Sequence, residues 1–143
     1  MVNYKSIKLS PGLYFVSTPI GTARDITLRA LDILANADVL AAEDTRTLKK
    51  LLEIHGIQLK KRSLISYHDH NASKVRPKLL AHLNQGKSIA YASEAGTPLM
   101  ADPGFSLLTE VLSLKNNVTS APGPCALIAA LTVAGLPTDK FYF

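Results

Sequence analysis

The chain has 143 residues, 47% of them hydrophobic, with a formal charge of +5 and a pI near 9.4. That length suits one compact domain with a core large enough to fold without staples. No run approaches the ~18 apolar residues of a membrane span, and Met1-Val2-Asn3-Tyr4-Lys5 lacks the apolar stretch of a signal peptide, so a cytoplasmic protein without a membrane partner is expected. Cys125 is the single cysteine, which excludes an intrachain disulfide and a multi-cysteine metal site. The basic balance favours a polyanionic partner without requiring one.

Five short runs rich in β-branched or aromatic residues, each ending at a loop signal, read as strands: Leu13–Ser17, Val39–Ala42, Leu64–Tyr67, Ser88–Ala92 and Val118–Ala121. The intervals read as helices. The first starts near Asp25, taken as its N-cap, with Ile26, Ala30, Ile33, Leu34 and Ala37 on one face. Thr45 caps a second that buries Leu48, Leu51 and Leu52 and stops at Gly56. Asn71 or Ser73 opens a third, carrying Val75, Leu79, Leu80 and Leu83 to Gly86. A fourth covers about Gly104 to Leu114. The fifth, Cys125 to Ala134, is almost wholly apolar, so burial on most sides is expected, against a second domain if one follows.

Strands alternating with helices predict an α/β fold, a parallel sheet sandwiched between helices. There is no internal repeat or low-complexity segment. A turn at Gly135–Asp139 precedes Phe141-Tyr142-Phe143, which has the composition of a strand beginning. We expect one domain over 1–137 and, in 138–143, the start of a link to a second domain absent from this sequence.

In such folds ligands meet the loops that leave the carboxyl ends of the strands. These are Ser17–Gly21, Glu43–Arg46, His68–Asn71, Ser93–Gly104 and Pro122–Pro124. Ser93–Gly104 holds two Pro and two Gly in twelve residues, a composition that fixes an irregular backbone and exposes N–H groups. It lacks both a G-x-G-x-x-G and a Gly-Lys-Thr pattern, so an uncharged or zwitterionic cofactor held by backbone groups suits it better than a dinucleotide. Taken alone, Gly96-Thr97-Pro98 reads more readily as a tight strand-to-helix turn.

Six motifs stand in order: Thr18-Pro-Ile-Gly21 with Asp25-Ile-Thr27, Ala42-Glu-Asp-Thr-Arg46, Ser66-Tyr-His-Asp-His-Asn71, Ser93-Glu-Ala-Gly-Thr-Pro98, Asp102-Pro-Gly104 and Pro122-Gly-Pro124. Together they resemble the small-subunit ribosomal RNA cytidine 2′-O-methyltransferases of the tetrapyrrole methylase superfamily, over about residues 12–143. The resemblance implies the N-terminal domain of that fold, S-adenosylmethionine as methyl donor without a metal, ribosomal RNA of the small subunit as partner, and a homodimer in the full-length protein. It assigns Pro19, Ala95, Gly96, Thr97, Met100, Cys125 and Ala126 to the cofactor site. Two positions depart from the family pattern: Glu94 stands in place of the usual Asp and Cys125 in place of the usual Ser.

Methyl transfer requires alignment of the 2′-oxygen and removal of its proton. Asp44 and Arg46 at one strand end and His68, Asp69 and His70 at the next are the candidates. Asp44 or a histidine, His70 among them, would orient the hydroxyl while Arg46 meets phosphate. Helix capping by Glu43, Asp44 and Thr45 and a solvent-facing histidine pair are the plainer readings. Arg24, Arg29, Lys49, Lys50, Lys60, Lys61 and Arg62 are candidate phosphate contacts or solvated edges. Cys125, at the start of an apolar helix, is read as packing or cofactor lining rather than as a nucleophile. Two other functions fit less well: methylation of a tetrapyrrole or other small molecule, and a non-catalytic module binding RNA or a small ligand.

Overall fold

The computed structural model describes residues 2–100 and 104–143. Strands β1 (Gly12–Val16), β2 (Val39–Ala42), β3 (Ser63–Ser66), β4 (Ser88–Ala92) and β5 (Val118–Ala121) form one parallel sheet in the order β3-β2-β4-β1-β5. Helices α1 (Leu28–Asn36), α2 (Thr45–Ile54), α3 (Ala72–Asn84), α4 (Phe105–Ser113) and α5 (Ala126–Val133) follow the strands in turn. The parallel α/β sandwich expected from the alternation is what forms.

Successive side chains of a strand point to opposite faces, and that alternation sorts the core into two layers. Val16, Leu40, Ala42, Ala90 and Ala92 face α1 and α2, which contribute Ala30, Leu34, Leu48 and Leu52. Leu13, Phe15, Val39, Ala41, Ile89 and Tyr91 face α3 and α4, which contribute Leu79, Leu83, Leu107 and Val111. The first layer uses small residues that let helices approach closely. The second is built on aromatic rings, with Tyr91 edge-on to Phe15 at 5.6 Å and to Tyr67 at 5.8 Å.

Several local expectations shift. Thr27, not Asp25, caps α1: its hydroxyl accepts the Ala30 N–H, while Asp25 closes a short 3-10 turn, Ala23–Asp25. Asp44, not Thr45, caps α2 by accepting the Arg46 N–H. The apolar helix α5 has no buried residue, contrary to the expected burial, because no other part of the described chain covers it; Ile128 is 49% and Val133 84% exposed. Residues 141–143 form no strand and are exposed.

Adjacent strands β4 and β1 feed helices on opposite faces, α4 on one and α1 on the other. Their departing loops therefore diverge, opening a crevice at the carboxyl end of the sheet, at the topological switch point.

Candidate functional site

The crevice is held by bonds between loops. Thr18 and Gly96 form an isolated antiparallel bridge, each N–H donating to the other's carbonyl at 3.0 Å. The Thr18 hydroxyl donates to the Ser93 carbonyl at 3.2 Å, the Thr97 hydroxyl to the Pro124 carbonyl at 2.9 Å, and the Ser17 hydroxyl to Thr97 Oγ1 at 3.3 Å. The loops after β1, β4 and β5 are thus joined into one frame. Gly96 sits at φ +80°, a left-handed conformation in which a Cβ would also stand 3.3 Å from Ile20 Cγ2.

This frame encloses a cavity of about 290 Å³ lined by Ala95, Gly96, Thr97, Met100, Cys125 and Ala126, with Ile20, Leu127 and Phe143 beside them. Six of the seven residues assigned to the cofactor from the sequence therefore meet in one place. Pro19 does not; it lines a neighbouring cavity of about 150 Å³ with Thr18, Lys50 and Glu94. The expectation that backbone N–H groups of this loop are exposed for a ligand needs revision in part. The Gly96 N–H and the Thr97 hydroxyl are already used inside the frame. Among the described residues the N–H groups of Ala95, Thr97, Cys125 and Ala126 have no acceptor, the last belonging to the first turn of α5, where helix donors are orphaned. These donors, with Met100, Cys125 and Leu127 as an apolar wall, suit a zwitterionic ligand with an apolar body. Of the Asp102-Pro-Gly104 motif, Asp102 and Pro103 lie outside the described residues.

A second cavity, about 480 Å³, adjoins the first at the ends of β2, β3 and β4 and brings together Asp44, Arg46, His68, His70 and Glu94, with Glu43 and Ser66. Asp69 is not among its lining residues. Asp44 accepts both Arg46 Nε at 3.2 Å and Nη2 at 2.8 Å in a forked pair. The Arg46 side-chain and backbone bonds hold the Asp44 carboxyl down to about 2, while Asp44 in turn raises the Arg46 guanidinium. A carboxylate so stabilised is a weak proton acceptor. His68 has a buried Nδ1 with no partner among the described residues, and its ring lies 5.9 Å from that of His70, which is exposed. Glu94 lines this cavity and also the one that holds Pro19, while its neighbour Ala95 lines the first. Sequence reasoning had noted Glu94 only as a departure from a pattern; its position in the Ser93–Pro98 loop was the available signal. Among the described residues no group of three or more His, Cys, Asp or Glu is placed to hold a metal ion.

A parallel sheet with helices on both faces and cavities at its carboxyl end defines an α/β domain of the doubly wound class. The model of the Tetrapyrrole (Corrin/Porphyrin) Methylases matches residues 12–142, and the chain belongs to that family. It is 51% identical over 135 residues to the ribosomal RNA small subunit methyltransferase I of Mesorhizobium japonicum, covering 94% of this chain and 45% of that protein. The protein of the same name from Vibrio cholerae is 48% identical over 134 residues, 94% of this chain and 46% of its own length. The chain thus spans about half the length of the curated relatives it matches. Among solved structures, the uroporphyrin-III-C-methyltransferase of Thermus thermophilus superposes with a TM-score of 0.63 at 22% identity, over 89% of this chain and 54% of that one, a likeness of fold.

Proposed function

We propose that this chain forms the S-adenosylmethionine-binding half of an enzyme that methylates the 2′-hydroxyl of a cytidine in small-subunit ribosomal RNA. The observation that carries the reading is the pair of cavities lined by the consecutive residues Glu94 and Ala95: the Ala95 cavity has free N–H donors and an apolar wall, the Glu94 cavity has titratable side chains. The names of the relatives support the RNA substrate over a tetrapyrrole. S-adenosylmethionine supplies an electrophilic methyl group when bound.

In this reading the unpartnered N–H groups of Ala95, Thr97 and Ala126 hold the polar end of the cofactor, and Met100 and Cys125 lie along its body. Pro19 closes the neighbouring side through the Thr18–Gly96 bridge. In the Glu94 cavity, Arg46 is held in place by Asp44 and presents its outer face to phosphate. Since Asp44 is committed to Arg46, proton removal falls to His70, with Glu94 and His68 beside it. The exposed apolar side of α5 supports the reading of 1–137 as one domain, with 138–143 leading toward a second domain that completes the cleft and a homodimer, in the cytoplasm.

The test is transfer of radiolabelled methyl groups to small ribosomal subunits by the longer protein that carries this chain. His70→Ala should lower turnover at least tenfold and Asp44→Ala less, each with a folding control. Wild-type turnover in both variants, or transfer to a porphyrin precursor instead, overturns the assignment.

A further inference from the structure

The strands run from a basic end to an acidic one. At the amino end, before β3 and β4, a cavity of about 660 Å³ is lined by Lys60, Lys61, Arg62 and Lys87, against one carboxylate, Asp38. At the carboxyl end the larger cavity has the reverse balance, Glu43, Asp44 and Glu94 against Arg46. The excess positive charge therefore does not sit where the acceptor hydroxyl would be presented.

Two of the amino-end groups are already committed. Arg62 donates through Nη1 to the Leu34 and Ala37 carbonyls at 2.7 and 3.2 Å, and through Nη2 and Nε to Gln58 and Leu59, closing the end of α1. Asp38 accepts the Ser88 N–H at 2.8 Å and the Ser88 hydroxyl at 2.7 Å. The lysines remain. Lys60 and Lys61 are exposed and, among the described residues, in no ion pair. Lys87 Nζ lies 3.4 Å from His82 Nδ1 at the end of α3.

Strands of four or five residues are about 13–17 Å long, beyond the ~8 Å over which salt at physiological strength leaves charges unscreened. These lysines cannot act by steering at the distant pocket, and need contacts of their own. We propose that the amino end of the sheet, at Lys60, Lys61 and Lys87, binds the phosphate backbone of a segment of folded RNA other than the nucleotide presented at the carboxyl end. This rests on the reading of the substrate as RNA. Cations on separate loops, around an open cavity, fit a run of phosphates better than a single small anion.

The experiment is a salt series of binding to a small-subunit ribosomal RNA transcript, comparing the wild type with the triple variants Lys60→Gln/Lys61→Gln/Lys87→Gln and Lys60→Arg/Lys61→Arg/Lys87→Arg. The glutamine variant should lose about 2–3 from the log–log salt slope, roughly 0.7–0.9 per phosphate contact, with S-adenosylmethionine binding unchanged, and the arginine variant should keep the wild-type slope. RNA binding by the wild type with the same slope in the glutamine variant overturns this surface and leaves the RNA reading standing. Absence of salt-dependent RNA binding by the wild type overturns both.

Discussion

At the carboxyl end of the sheet the loops are fastened to one another; at the amino end they are fastened to the elements beneath them. Thr18 bridges Gly96 and Thr97 reaches Pro124, so three loops share one frame with N–H groups left over for a ligand. At the other end Arg62 closes the last carbonyls of α1 and Asp38 ties onto Ser88, leaving lysines outside. The same strands thus end in a ligand frame on one side and in structural anchors with a charged surface on the other. Which polar groups are already engaged, more than which residues are polar, separates the two.

The largest way to break this contrast is at the amino end. Arg62→Ala removes a guanidinium bonded to four carbonyls and should cost about 2–3 kcal/mol in urea unfolding, with Arg62→Lys recovering less than half, since one ammonium cannot span the same acceptors. A loss under about 0.5 kcal/mol would show that Arg62 is surface charge like its neighbours. At the carboxyl end, Gly96→Ala places a side chain at φ +80° and should cost about 1–2 kcal/mol while weakening S-adenosylmethionine binding on calorimetry. Thr97→Val, which removes the hydroxyl that donates to Pro124, should cost about 1 kcal/mol, and Thr97→Ser should restore it.

The smallest effect is a titration. The Asp44 carboxyl, held to about 2 by Arg46, lies below its ordinary 3.8. A folded-state value below the unfolded one adds stability above pH 3.8, which is lost as pH falls through about 2. In Arg46→Ala the midpoint of the Asp44 side-chain carbon resonance should rise toward the ordinary value. An unmoved midpoint would mean that the forked pair does not persist in solution.

The strands were legible because short β-branched and aromatic runs such as Leu13-Tyr14-Phe15-Val16, each ending at a loop signal, are local, whereas the division of their side chains between two core layers is seen only in the fold. The caps were harder. Asp25 and Thr27 are both good cap residues, as are Asp44 and Thr45, and the choice falls to the side chain whose oxygen reaches an N–H two or three residues on. Arg62 was hidden inside the run Lys60-Lys61-Arg62: its partners Leu34 and Ala37 lie on another element, and nothing local separates it from the lysines. At the site, the family resemblance named seven residues for the cofactor and six of them line one cavity, whereas the commitment of the Gly96 N–H and the Thr97 hydroxyl depends on Thr18 and Pro124, far away in sequence. The apolar composition of α5 gave its helix, while its exposure in this chain follows from the lack of any element packed over it among the described residues, since composition reports what a helix can bury and not what covers it.

The central claim is that the frame at the carboxyl end receives the cofactor. Its most direct test is amide chemical-shift mapping of isotope-labelled chain titrated with S-adenosylmethionine to millimolar concentration. Shifts should be concentrated at Ala95, Gly96, Thr97, Met100, Cys125 and Ala126, with Lys60, Lys61 and Lys87 unmoved. Shifts centred on the amino-end lysines, or none at residues 95–100 and 125–127, would contradict it.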